Sequence, residues 1–138
     1  MPRLGWLRAL ATAGLLSLTA CPQRTAIWLL SGAAPGQPVF GLEESRDGAS
    51  LAEVPYVFIS PCAGFDGTAG QAVWVLQRAV ETAAAPRQVQ VGHAPPGYRV
   101  ARGADRLQPG CYVASIQGTG RVEFEVYADR SSVERGER

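Results

Sequence analysis

The stretch Cys111-Tyr112-Val113-Ala114-Ser115-Ile116-Gln117-Gly118-Thr119-Gly120-Arg121-Val122-Glu123-Phe124-Glu125-Val126-Tyr127 decides the fold. In its second half Val122, Phe124 and Val126 alternate with Arg121, Glu123, Glu125 and Tyr127. A repeat of two residues places apolar side chains on one face of a strand and polar ones on the other. The first half, Cys111 to Gln117, is rich in β-branched and aromatic residues and reads as the partner strand. Gly118-Thr119-Gly120 supplies a tight connection between them. The whole predicts an antiparallel hairpin with one buried face and one wet face.

Working outward, the same vocabulary recurs: short apolar runs cut by Gly, Pro and Asp. Ala26 to Leu30 reads as a strand ended by Ser31-Gly32, and Pro38 to Glu43 as a second. Ser45 to Gly48 is a turn or loop, Pro55 to Ile59 a strand, and Gly64 to Gly70 a glycine-rich loop. Ala72 to Arg78 reads as a strand, with a short helical turn expected in Ala79–Ala85 before Pro86. Gln88 to Val91 alternates polar and apolar, and Ala94-Pro95-Pro96-Gly97 is a loop, because proline cannot donate to a ladder. Residues 131–138 form a charged tail expected to fray. No long amphipathic helix is present. The expectation is a mainly β chain with a single domain over 26–130, built as an antiparallel β-sandwich or a small barrel. An immunoglobulin-like sandwich is one version of this, and the order Cys62, Trp74, Cys111 is in keeping with it without singling it out.

Composition narrows the function classes. The 138 residues carry 13 basic and 12 acidic side chains, a net charge of +1. All the basic ones are Arg, there is neither Lys nor Asn, and the Arg residues are scattered among acids. No clustered basic surface is available for nucleic acid. The bias toward Arg, Ala, Gly and Pro reads as the codon usage of a GC-rich genome.

The N-terminus carries the most specific motif. Arg3 and Arg8 form a basic n-region without acids, Ala9 to Leu18 an apolar run, and Leu18-Thr19-Ala20 places small residues before Cys21. A run of this length fits the apolar core of an export signal, about 7–15 residues, and falls short of the roughly 20 needed to span a bilayer. Leu18-Thr19-Ala20-Cys21 resembles the lipobox of bacterial lipoproteins. The resemblance, confined to these first residues, implies removal of a signal peptide over 1–20. It also implies lipid on Cys21, with acyl chains such as palmitate holding the new N-terminus at a membrane, and a short tether over 21–25. The protein would then face the periplasm or the exterior. Because Pro22 rather than Asp follows the cysteine, the outer membrane is favoured if the cell is Gram-negative. Loss of Arg3 and Arg8 leaves 11 Arg against 12 acids, so the mature domain is nearly neutral. Lipid rather than charge must then supply the anchoring.

If Cys21 takes the lipid that the resemblance implies, Cys62 and Cys111 remain as an even pair, and an exported setting favours a disulfide between them. There is no C-x-x-C, and two cysteines with the single His93 fall short of a four-ligand zinc set. No metal and no cofactor is expected.

Candidate chemistry is sparse. His93 lies where a strand runs into a loop, and Ser60, Ser115 and Asp105 are available partners that no motif joins to it. Glu123 and Glu125 share a strand face with Arg121 and read as a solvated surface. Asp66 offers one carboxylate, too few for a calcium loop. Gly67 to Gly70 lacks the lysine of a phosphate loop. Trp28, Tyr56, Phe58, Trp74 and Tyr112 read as core. His93, Tyr98 and Arg99, beside the Pro95-Pro96 loop, are the surface-site candidates. The sequence therefore points to an envelope lipoprotein that is a non-catalytic binding or structural module, engaging the membrane through Cys21 and an envelope protein or glycan. The alternative is a small envelope hydrolase using His93.

Overall fold

The computed structural model describes residues 27–43, 56–116 and 120–136. The signal segment, Cys21, the tether and the turn at Ser45–Gly48 lie outside the described residues. Among the described residues nine strands form two sheets. β1 (Ile27–Leu30), β2 (Val39–Leu42) and β5 (Gln88–Gln90) make a three-stranded sheet in the order β1-β2-β5. β3 (Tyr56–Pro61), β4 (Trp74–Arg78), β6 (Tyr98–Arg102), β7 (Gly110–Ile116), β8 (Gly120–Val126) and β9 (Val133–Glu134) make a six-stranded one in the order β6-β4-β3-β7-β8-β9. Every pairing is antiparallel. The two sheets remain separate and no barrel closes, so of the two expected architectures the sandwich holds and the barrel does not. Among the described residues the only helical element is one 3-10 turn at Ala69–Gln71.

The β7–β8 hairpin has the alternation read from its sequence. Val122, Phe124 and Val126 are buried, Arg121 and Glu123 exposed, and Glu125 half-buried. Phe124 carries the contact between the sheets. Its ring meets Phe40 of β2 edge-on at 5.1 Å and stacks on Tyr112 of β7 at 5.9 Å. Around this trio lie Ile27, Val57, Ile59, Trp74, Leu76, Val89 and Ile116, all buried. Burying each large apolar side chain contributes about 1.5–3 kcal/mol against the entropy of ordering the chain. β3 shows why its sequence is an unbroken apolar run. Val57 and Ile59 join this core, and Phe58 and Ser60 on its other face are buried too. In the smaller sheet Gly41 faces Trp28 across the β1–β2 ladder, and the indole lies over it so closely that a Cβ there would collide with the ring.

The structure differs from the sequence pattern at four points. The tail does not fray over residues 131–136: Val133 and Glu134 pair with Glu125 and Phe124, Ser132 is buried, and the Ser131 hydroxyl donates to the Ala33 carbonyl. Tyr98 to Arg102, to which the sequence pattern assigns no element, is the edge strand β6, paired to β4 through a register shift between Val75 and Leu76. No helix forms over 79–85; the segment makes one isolated turn, in which the Ala83 amide donates to the Val80 carbonyl at 3.0 Å. The Ala79 and Val80 amides both donate to the Gly97 carbonyl, at 2.8 and 3.1 Å, which ties the start of the segment to the Pro95–Gly97 turn. The cue for an immunoglobulin-like arrangement also lapses. That arrangement bridges two sheets with its disulfide, whereas Cys62, just after β3, and Cys111, within β7, join neighbouring strands of one sheet.

Candidate functional site

Three places hold the residues that carry chemistry, and they are separate. The first is the disulfide. Pro61 ends β3 opposite Tyr112, so Cys62 comes to lie beside Cys111, and the Cys62 amide donates to the Cys111 carbonyl at 3.0 Å. The two cysteines are joined, with Cα atoms 5.4 Å apart and a sequence separation of 49. Glu123 Oε1 lies 3.4 Å from Cys111 Sγ and 3.7 Å from Cys62 Sγ. Arg135 Nη1 reaches both Glu123 Oε1, at 3.0 Å, and Cys111 Sγ, at 3.1 Å. The two sulfurs and the carboxylate oxygen fall within 4.8 Å of one another. Metal ligation needs thiolates, and a disulfide sulfur carries neither that charge nor a proton to donate. In this state the cluster is therefore a covalent staple capped by an exposed ion pair.

The second place is the end of β5. His93 is exposed, its amide donates to the Gln90 carbonyl at 3.1 Å, and it forms an isolated bridge with Gln90. Its imidazole makes no hydrogen bond or ion pair with another described residue. Ser60 and Ser115 are buried in β3 and β7, and neither hydroxyl has a hydrogen-bond partner. Asp105 is exposed in the loop after β6, and its carbonyl accepts from Gln37 Nε2 at 3.1 Å. The structure thus brings none of these three into hydrogen-bonding contact with His93, the geometry a hydrolytic base requires.

The third place is a shallow groove of about 500 Å³ between the 79–86 loop and the Pro95–Gly97 turn. Val80, Ala83, Ala84, Pro86, Pro95 and Pro96 line it together with Gly97. Gly97 adopts φ +79° at this turn, a conformation that favours glycine. Tyr98 follows it, but not as a surface residue. Its side chain turns into the core and is 7% exposed, and burial pushes its phenol above the usual value while Arg78 pulls the other way. Arg99, the next residue along β6, points outward and donates to Gln77 Oε1 at 3.2 Å. Strand alternation thus separates two neighbours that the sequence reading grouped with His93. The groove itself escaped the sequence reading, because its rims are 9 or more residues apart in the chain and alanine and proline carry no chemical signature.

The Asp66 loop is self-contained. Asp66 Oδ1 accepts from the Thr68 hydroxyl at 2.7 Å and from the Thr68 amide at 2.9 Å, and these bonds hold its carboxyl below the usual range. Among the described residues no helix is long and apolar enough to cross a membrane. Compared with protein-family models, with curated proteins and with solved structures, the chain matches none.

Proposed function

We propose that this protein is exported, cleaved before Cys21 and anchored by lipid on that cysteine, and that its β-sandwich serves as a non-catalytic binding or structural module of the cell envelope. The observation that carries the reading is Leu18-Thr19-Ala20-Cys21 behind an apolar run of export-signal length and a basic n-region. The disulfide supports the exported setting, since such bonds persist in oxidising compartments. The near-neutral mature domain supports lipid, rather than charge, as the anchor. A sandwich whose exposed His93 meets no nucleophile or carboxylate among the described residues supports binding over hydrolysis. Partner classes in keeping with this setting are an envelope protein or a glycan.

The test is Cys21→Ser. The wild-type chain fractionates with membranes at its processed size, and the variant loses that association. A variant that still sediments with membranes at the processed size overturns the reading. Pull-down of the lipidated protein from its own envelope separates a binding module, which brings a defined partner with it, from a purely structural one, which does not.

A further inference from the structure

Resting on the lipid-anchor reading, we propose that the groove lined by Val80, Ala83, Ala84, Pro86, Pro95 and Pro96 is the face this domain sets against the bilayer. The occupant is the lipid surface itself.

The first ground is where the chain enters the sandwich. β1 begins at Ile27, whose cross-strand partner is Leu42. The Leu42 amide donates to the Arg87 carbonyl at 2.9 Å, and Arg87 follows Pro86 on the groove wall. The start of β1 is thus two strand spacings, about 10 Å, from the groove. In the larger sheet, Arg78 and Tyr98 pair at this same end, directly beyond the groove's two rims. Ile27 lies six positions after Cys21, a reach of at most about 20 Å. A lipid on Cys21 therefore holds this end of the sandwich at the membrane, and the opposite end faces away.

The second ground is the chemistry of the groove. None of its lining residues is charged, and Val80 at its lip is 51% exposed. Its backbone is also poor in free donors. Pro86, Pro95 and Pro96 have no amide hydrogen. The Ala79 and Val80 amides are spent on Gly97, Ala83 on Val80 and Tyr98 on Pro95. A surface that leaves water loses free energy for every unpaired polar group, and this one has few to lose. Of the charged residues around it, Glu81 and Arg87 are exposed and opposite in sign and Arg78 is half-buried at the end of β4, so apolar contact rather than a charged cluster defines the match.

The experiment uses the full, lipidated protein in phosphatidylcholine vesicles, with the disulfide intact. An environment-sensitive fluorophore is placed on Ala84→Cys in the groove. A control is placed on Ala104→Cys, an exposed alanine beyond the opposite end of β6. Nitroxide-bearing lipids are then added. The expected result is at least twofold stronger quenching at position 84 than at 104, with blue-shifted emission at 84 alone. Val80→Glu, at an exposed site that leaves the core untouched, halves the quenching at 84 while the protein stays on the vesicles. Equal, water-like signals at both positions on protein that still floats with the vesicles overturn the proposal and leave the anchor reading standing. Protein that does not float with the vesicles overturns both. Emission at 84 that responds to protein concentration instead of lipid assigns the groove to a second copy of the chain and overturns the bilayer assignment.

Discussion

Removing the Cys62–Cys111 crosslink with the double substitution Cys62→Ala, Cys111→Ala perturbs the unfolded chain more than the folded one. The cysteines are 49 positions apart. Closing a loop of that size in the unfolded ensemble corresponds to about 4 kcal/mol in the chain-entropy model. The folded state offers little to offset this loss. The Cys62 amide to Cys111 carbonyl bond continues the β3–β7 ladder whichever side chains are present. The neighbouring Glu123–Arg135 pair is about half exposed at each partner, and such pairs contribute roughly 0–1 kcal/mol. A small domain of ordinary stability, about 5–15 kcal/mol, would lose a large share of it. Urea unfolding followed by tryptophan fluorescence reads the effect. With a slope of roughly 2 kcal/mol per molar urea, the midpoint drops by about 2 M. The wild-type protein in dithiothreitol shows the same drop. The slope itself rises in the variant, because the uncrosslinked chain expands further on unfolding. A double variant within about 1 kcal/mol of wild type refutes the chain-entropy account of this bond.

Other consequences follow from the packing. Phe124→Ala, which opens a cavity between Phe40 and Tyr112, lowers stability by about 3–5 kcal/mol in the same urea assay. Arg121→Ala on the wet face of the same strand changes it by less than about 0.5 kcal/mol. Gly41→Ala forces a Cβ into the Trp28 ring, costing about 1–3 kcal/mol and altering the near-ultraviolet circular dichroism of the indole. Stability also falls in alkali. Burial raises the phenol pKa of Tyr98 and of Tyr112 above 10.0 in the folded state. The unfolded chain therefore releases these protons first as pH passes 10, and unfolding is favoured progressively until the folded-state values are reached. Below pH 10 both states keep the proton and the two residues add no pH dependence. Urea midpoints between pH 8 and 11 measure this, with Tyr98→Phe and Tyr112→Phe each flattening the decline.

What the sequence disclosed, and what it hid, follows from how each strand is buried. The β7–β8 hairpin was legible because one face of β8 meets the core and the other meets water, which writes a period of two into Val122, Phe124 and Val126. β3 was legible in kind though not in pattern, since burial on both faces removes alternation and leaves only a β-branched and aromatic run. β6 was not legible. After Tyr98 all four of its residues are exposed, so no buried face writes an alternation into Arg99 to Arg102, and the strand exists through its backbone pairing to β4. β9 is two residues long and rests on pairing with Phe124 and Glu125, an interaction between segments that local composition cannot encode. The candidate site was least legible. Tyr98 beside two prolines looks exposed until strand alternation turns it inward. The groove is made of Ala, Val and Pro from two distant loops, residues whose meaning comes only from where the fold places them.

The central claim rests on the fate of Cys21, and intact-mass and N-terminal peptide mass spectrometry of the protein purified from its own membranes tests it most directly. The account predicts a mature chain that begins at Cys21, lacks residues 1–20 and carries the added mass of acyl groups on that first residue. A chain that retains residues 1–20, or one that begins elsewhere and leaves Cys21 unmodified, contradicts it.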